Sequence, residues 1–231
     1  MGMVASFVRG VAVAAVAGVA GAGVALAAAA AAAVPAGAQP APAAASRAGF
    51  LEAVSCAGAT ACTAVGEHPQ ETSLAERWDG TKWARQRTPS GGPLDAVSCS
   101  SATACTALGG SLGALAWNGT IWASQRVPIP SGNGSGLTGV SCTSARACTA
   151  VGFAVKSDGT QVALADRWDG TAWALQHVAN PSDGTTPVLT GVSCSAATAC
   201  TAVGVRNGPP GSPRLRLAER WNGTTWTIQP T

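Results

Sequence analysis

This sequence of 231 residues has no tyrosine and only three phenylalanines, its charged residues amount to 11%, and histidine occurs twice. Each shortage closes something off. With a net charge of +3 and no block of like charges, the chain lacks a surface for tracking phosphates, so nucleic-acid binding is not expected. Arginine outnumbers lysine twelve to two, but no basic cluster gathers on one stretch. No Gly-x-Ser-x-Gly elbow, phosphate-cradling glycine loop or zinc-protease helix motif occurs either. No catalytic residue, cofactor or metal is therefore assigned. One enzymatic route stays open, because a carboxylate pair for glycoside hydrolysis needs closeness in space and not in sequence.

The N-terminus differs in composition from the rest. Val11 to Val34 is a run of 24 residues without charge, preceded by Arg9 and followed by Pro35 and Ala36-Gly37-Ala38. A basic start, an apolar stretch and an Ala-x-Ala site read as a secretory signal peptide over 1–38, cleaved after Ala38. The run is also long enough to span a bilayer, so an uncleaved membrane anchor is the rival reading. Residues 39–49, rich in Ala and Pro, read as a disordered linker.

What the chain has in quantity is tryptophan and cysteine, eight of each, and both fall at fixed places in a repeat. Leu51-Glu-Ala-Val-Ser-Cys56, Cys62-Thr-Ala-Val-Gly66 and Trp78-Asp-Gly-Thr-Lys-Trp83 recur in copies that begin at Leu94, Leu137 and Leu189, giving repeats 51–93, 94–136, 137–188 and 189–231. A period of about 40 to 45 residues suits one four-stranded propeller blade. The expected fold is all-β and β-propeller-like: four blades of four antiparallel strands, with no helix needed. Asp79-Gly80 and its counterparts Asn118-Gly119, Asp169-Gly170 and Asn222-Gly223 read as two-residue type I′ hairpin turns. That turn sets Trp78 opposite Thr81 and Glu76 opposite Trp83, and makes the two tryptophans a diagonal pair packing between blades. Asn118, Asn133 and Asn222 also match the glycosylation pattern, though at two of these places the turn suffices as explanation.

The cysteines pair within repeats as Cys56/Cys62, Cys99/Cys105, Cys142/Cys148 and Cys194/Cys200, one intra-blade disulfide each, as expected in an oxidising compartment. The chain-entropy model gives about 2 to 2.5 kcal/mol for so short a loop. Five residues between cysteines, with few histidines, fit zinc poorly.

Function should lie where the copies differ. The loops between second and third strands and the connections between blades vary in length, and alternating strand direction puts both on one face. Glu67, His68, Lys156, Asp158, Asp183, Arg206, Arg214 and Arg216 are the polar ligand-binding candidates there. Glu76-Arg77, Asp166-Arg167 and Glu219-Arg220 recur before the first tryptophan and read as cross-strand charge decoration.

With Val-Ser-Cys, Cys-Thr-Ala-Val-Gly and Trp-Asp-Gly-Thr-x-Trp in register, the chain from Leu51 onward resembles secreted bacterial propeller-like repeat proteins. Trp83 to Pro89 gives a looser likeness to kelch repeats. The turn is faintly similar to the Asp box of sialidases, but the resemblance implies a tyrosine nucleophile that this chain lacks. The sequence thus points to a secreted, disulfide-stabilised binding module for a protein or glycan ligand, with a homodimer as one way to complete the ring. The alternatives are an extracellular carbohydrate-active hydrolase or lyase, or a structural envelope-associated protein.

Overall fold

The computed structural model describes residues 49–69, 72–109, 113–130 and 132–231. The expected signal peptide and nearly all of the linker lie outside them. The described residues form sixteen strands and no helix. Blade 1 comprises β1 (Phe50–Gly58), β2 (Ala61–His68), β3 (Thr72–Trp78) and β4 (Trp83–Gln86). Blade 2 comprises β5 (Ala96–Ser101), β6 (Ala104–Gly109), β7 (Gly113–Trp117) and β8 (Trp122–Gln125). Blade 3 has β9 (Gly132–Ser144), β10 (Ala147–Lys156), β11 (Gln161–Trp168) and β12 (Trp173–Gln176). Blade 4 has β13 (Thr186–Ala196), β14 (Ala199–Asn207), β15 (Leu215–Trp221) and β16 (Trp226–Ile228). Each blade is an antiparallel meander in chain order, and neighbouring blades meet through their first and second strands.

Local chemistry explains the blade. Its first two strands are rich in Val, Ala and Thr, and in each blade the cysteines stand directly opposite one another, as Cys56 does with Cys62. All four disulfides form within their blades and no cysteine is free. The glycine closing Cys-Thr-Ala-Val-Gly is required by close approach, since a Cβ on Gly66 or Gly152 would stand on the carbonyl of Phe50 or Gly136 across the strand pair.

The tryptophan hairpin corrects the expected register. Trp78 pairs directly with Trp83, and Glu76 with Arg85, so the turn holds four residues and not two. The cause is the side chain of Asp79: its Oδ1 accepts from Thr81 N at 2.8 Å, Thr81 Oγ1 at 2.6 Å and Lys82 N at 2.9 Å. Gly80 takes φ +99°, the conformation that favours glycine. Asn118, Asp169 and Asn222 hold their turns with the same three bonds. Only one accepting oxygen is needed, which is why Asp and Asn exchange at this place and why threonine follows two residues later. These donors hold the Asp79 and Asp169 carboxyls down at about 2. Directly paired, the two indoles of each blade lie 5.7–5.8 Å apart in tilted contact.

Three apolar cores lie between blades, one at each junction. Val65 and Ala75 of blade 1 meet Leu94, Val97, Leu115 and Trp122 of blade 2, and the later junctions repeat the arrangement. The sheets stack because each has apolar residues on both faces. Trp83 of blade 1 is exposed, whereas in blades 2 to 4 the second tryptophans pack between blades as expected: Trp122 Nε1 donates to Gln86 Oε1 at 2.8 Å, Trp173 to Gln125 at 2.8 Å and Trp226 to Gln176 at 2.9 Å.

Candidate functional site

The loop face forms as strand alternation requires. Connections between blades run beside the starts of third strands: Ser73 Oγ donates to Gly92 O, and Ala163 N to Asn180 Oδ1. The eight polar candidates occupy three separate places on it. Glu67 and His68 end β2, opposite Ser73 and Thr72. Lys156 and Asp158 share the tight β10–β11 turn, where Asp158 Oδ1 accepts from Thr160 N at 2.8 Å and its carboxyl is held below the usual range, chiefly by that bond. Asp183 and Arg206 form an ion pair between the incoming connection and the end of β14, and Arg206 Nε donates to Arg216 O at 3.4 Å. The Asp183 carboxyl is lowered too, first by the Thr185 hydroxyl. Arg214 is exposed in the β14–β15 loop.

Concave surface lies elsewhere. A pocket of about 360 Å³ sits beside the disulfide turns of blades 2 and 3, lined by Ser100, Thr103, Trp117, Cys142 and Trp168, among others. Two wider grooves stand at the outer edges of the inter-blade seams. Between blades 1 and 2 a groove of about 500 Å³ is lined by Arg85, Gln86, Arg87, Trp117, Thr120 and Ile121, among others. Between blades 2 and 3 a groove of about 510 Å³ is lined by Gln125, Arg126, Pro128, Trp168, Thr171 and Trp173, among others. These are one site built twice. Arg126 takes the place of Arg87, Trp168 that of Trp117, and Thr171 that of Thr120, in successive repeats. Each groove offers a half-buried indole, a guanidinium from the preceding blade and a turn threonine, and neither includes a carboxylate. None of the eight loop candidates lines either groove. The sequence signal was the Gln-Arg that follows the second tryptophan in the first two repeats, Gln86-Arg87 and Gln125-Arg126.

A second clustering concerns the residues before the first tryptophan. Asp166 and Glu219 are not charge decoration: both are fully buried, on the face turned to the preceding blade, and their carboxylate oxygens have no hydrogen-bond partner. Burial pushes both carboxyls up to about 7. Leu115 holds the same place in blade 2 and is also fully buried, whereas Glu76 on blade 1, which no blade precedes among the described residues, is only half-buried. Among the described residues no group of three or more His, Cys, Asp or Glu could hold a metal ion. No helix among them is long and apolar enough to cross a membrane.

No family model matches the chain, and no curated protein matches its sequence. Similar solved structures include YCF48 bound to a D1 peptide, at TM-score 0.49 and 14% identity over 78% of this chain and 54% of that one. The six-bladed fucose-recognising lectin of the fungus Aleuria aurantia matches at TM-score 0.48 and 14% identity, over 79% of this chain and 61% of that one. SapL1 lectin in complex with alpha methyl fucoside matches at TM-score 0.49 and 10% identity, over 79% and 64%. This chain therefore spans under two-thirds of the length of those proteins. At these scores the likeness says nothing of ligand or activity.

Proposed function

We propose that this chain is a non-catalytic binding module, working outside the cytoplasm, that takes glycan in its inter-blade grooves. The observation that carries this reading is the duplication of the groove at two successive seams. An indole suits the apolar face of a sugar ring, and a guanidinium with a neighbouring threonine hydroxyl suits its hydroxyl groups. Two equivalent grooves on one chain raise the avidity for a repeating polymer without requiring tight binding at either. Four disulfides suit an oxidising compartment and so favour secretion.

Glycoside hydrolysis needs two carboxyl groups flanking one bond. The two carboxyls of this chain raised to about 7 are sealed between blades, away from the grooves. That favours binding over catalysis. The loop face, with Glu67, His68, Lys156, Asp158, Asp183, Arg206, Arg214 and Arg216, is proposed as a separate surface for a protein partner.

A glycan array probed with the full chain tests the reading, followed by titration of the best glycan against the Arg87→Ala/Arg126→Ala variant. Loss of affinity by about tenfold or more is expected for the removal of two such anchors. An array with no bound glycan would sink the glycan reading. So would binding that survives the groove changes but is abolished by His68→Ala and Lys156→Ala.

A further inference from the structure

Each of the three blade junctions is fastened by the same three contacts. The backbone N–H of the first cysteine donates to the serine hydroxyl of the blade before it: Cys99 to Ser55, Cys142 to Ser98 and Cys194 to Ser141, at 2.9, 2.9 and 3.0 Å. A threonine hydroxyl approaches the next blade's second cysteine sulfur, as Thr63 does Cys105 at 3.6 Å, Thr106 does Cys148 at 3.5 Å and Thr149 does Cys200 at 3.6 Å. An indole N–H reaches back to the preceding blade's glutamine, as described above.

The two ends of the array hold the unmatched halves of this set. Blade 4 presents Ser193, Thr201 and Gln229, while blade 1 presents the Cys56 N–H, Cys62 and Trp83. The Gln229 side chain makes hydrogen bonds only within its own segment, to Thr227. Thr201 is exposed, whereas Thr63, Thr106 and Thr149 are buried.

The apolar surface tells the same story. Trp83 is 44% exposed, whereas Trp122, Trp173 and Trp226 are buried. On the same blade Leu51 is 51% and Val54 61% exposed, whereas Leu94, Leu137 and Leu189 are buried. At the other end Val203 is 50% exposed, whereas its counterparts Val65, Leu108 and Val151 are fully buried. At every internal junction the residue in Val203's place packs on those in the places of Leu51 and Val54.

We infer that blade 4 of one chain docks on blade 1 of a second copy, repeating the internal junction between molecules. Blade 1 carries two of the N–H donors and blade 4 the threonine hydroxyl, each matched by an acceptor and by apolar contacts at the other end, in a geometry the chain already builds three times. Such a joint is heterologous, joining unlike faces. Two copies joined at both ends close a ring of eight blades in which neither terminal face stays bare. The inference stands independently of the glycan reading.

Sedimentation velocity on the full chain tests it, with Val54→Glu and Val203→Glu, substitutions at exposed positions whose folding is checked by circular dichroism. The unmutated chain is expected to sediment as a dimer. Each variant alone should associate at least about tenfold more weakly, since the joint would bury an unpaired charge. An equimolar mixture of the two variants should regain a one-to-one complex, because each retains the face the other has lost. A monomeric unmutated chain, a dimer indifferent to both substitutions, a mixture that stays monomeric, or a ladder of larger species each overturns the closed pair. Should either variant fail to fold, dilution of the unmutated chain gives an independent reading. Quenching by acrylamide of the signal assigned to Trp83, by difference from Trp83→Phe, should rise on dilution, and a flat response overturns the inference.

Discussion

Asp166 offers the sharpest test of the packing described above. Its carboxyl is fully buried against the preceding blade without a partner, and burial raises it to about 7. In the unfolded chain the group ionises near pH 4, so between pH 4 and pH 7 the folded state keeps a proton that the unfolded state has lost. The stability contribution is therefore fully present below pH 4 and falls as pH rises, by about 1.4 kcal/mol per pH unit for this group. Across the window the loss approaches about 4 kcal/mol, and relaxation or water entry would reduce it. Glu219 adds a similar slope, from its ordinary value of 4.5 to about 7. Two substitutions separate the contributions. Asp166→Asn keeps the shape and removes the titration, so it should roughly halve the decline between pH 4.5 and 7. Asp166→Leu copies what blade 2 already carries at Leu115, and should raise stability at pH 7 by about 1 to 3 kcal/mol after an allowance for the larger side chain. Urea unfolding without reductant, followed by tryptophan fluorescence at a series of pH values, measures both. A wild-type stability that rises from pH 4 to pH 7, or an unchanged slope in Asp166→Asn, would refute the reasoning.

Other outcomes follow from the turns and junctions. Asp79→Asn should leave the hairpin intact at neutral pH, while Asp79→Ala should loosen it, seen as faster hydrogen exchange at Thr81 and Lys82, because only the accepting oxygen matters. The Asp79 and Asp169 carboxyls, held at about 2, contribute stability that is present above about pH 4 and lost as pH falls through 2, so the chain should be most stable near pH 4. Gln125→Ala strands the Trp173 indole N–H and should cost about 1 to 2 kcal/mol in chemical denaturation. Gln229→Ala, at the bare end, should cost the isolated chain far less by the same measurement.

The blade was legible because its determinants are local. Cys56 and Cys62 sit six residues apart across one tight turn, and the Asp-Gly-Thr turn is written in adjacent residues, so repetition made both readable. The register of the tryptophan hairpin was not. Asp-Gly serves a two-residue type I′ turn equally well, and only the bonds from Asp79 to Thr81 and Lys82 choose the four-residue form. The burial of Asp166 and Glu219 escaped for a different reason. Which face of a strand a neighbouring sheet covers depends on a blade contributed by residues about 50 positions away, as the Trp226–Gln176 bond shows. The grooves escaped likewise, since each draws its arginine from one repeat and its indole from the next. Of the loop candidates, Glu67, His68, Lys156, Arg206 and Arg216 stand in strand ends and not in loops, because the pairing of second and third strands runs further than the local pattern marks. Sequence also gave no hint of the contact between Asp183 and Arg206.

The placement of the disulfides has a mechanical consequence. Every one closes a hairpin within its own blade, and none crosses a seam. Each blade is thus a stiff plate, while its neighbours are held by hydrogen bonds, sulfur contacts and apolar packing alone. Under load, or on gradual loss of stability, the compliance should reside at the seams, with plates parting before any of them melts. A cut in a connecting loop would leave two stapled fragments able to find one another again, whereas reduction would soften the plates themselves and leave nothing to reassemble.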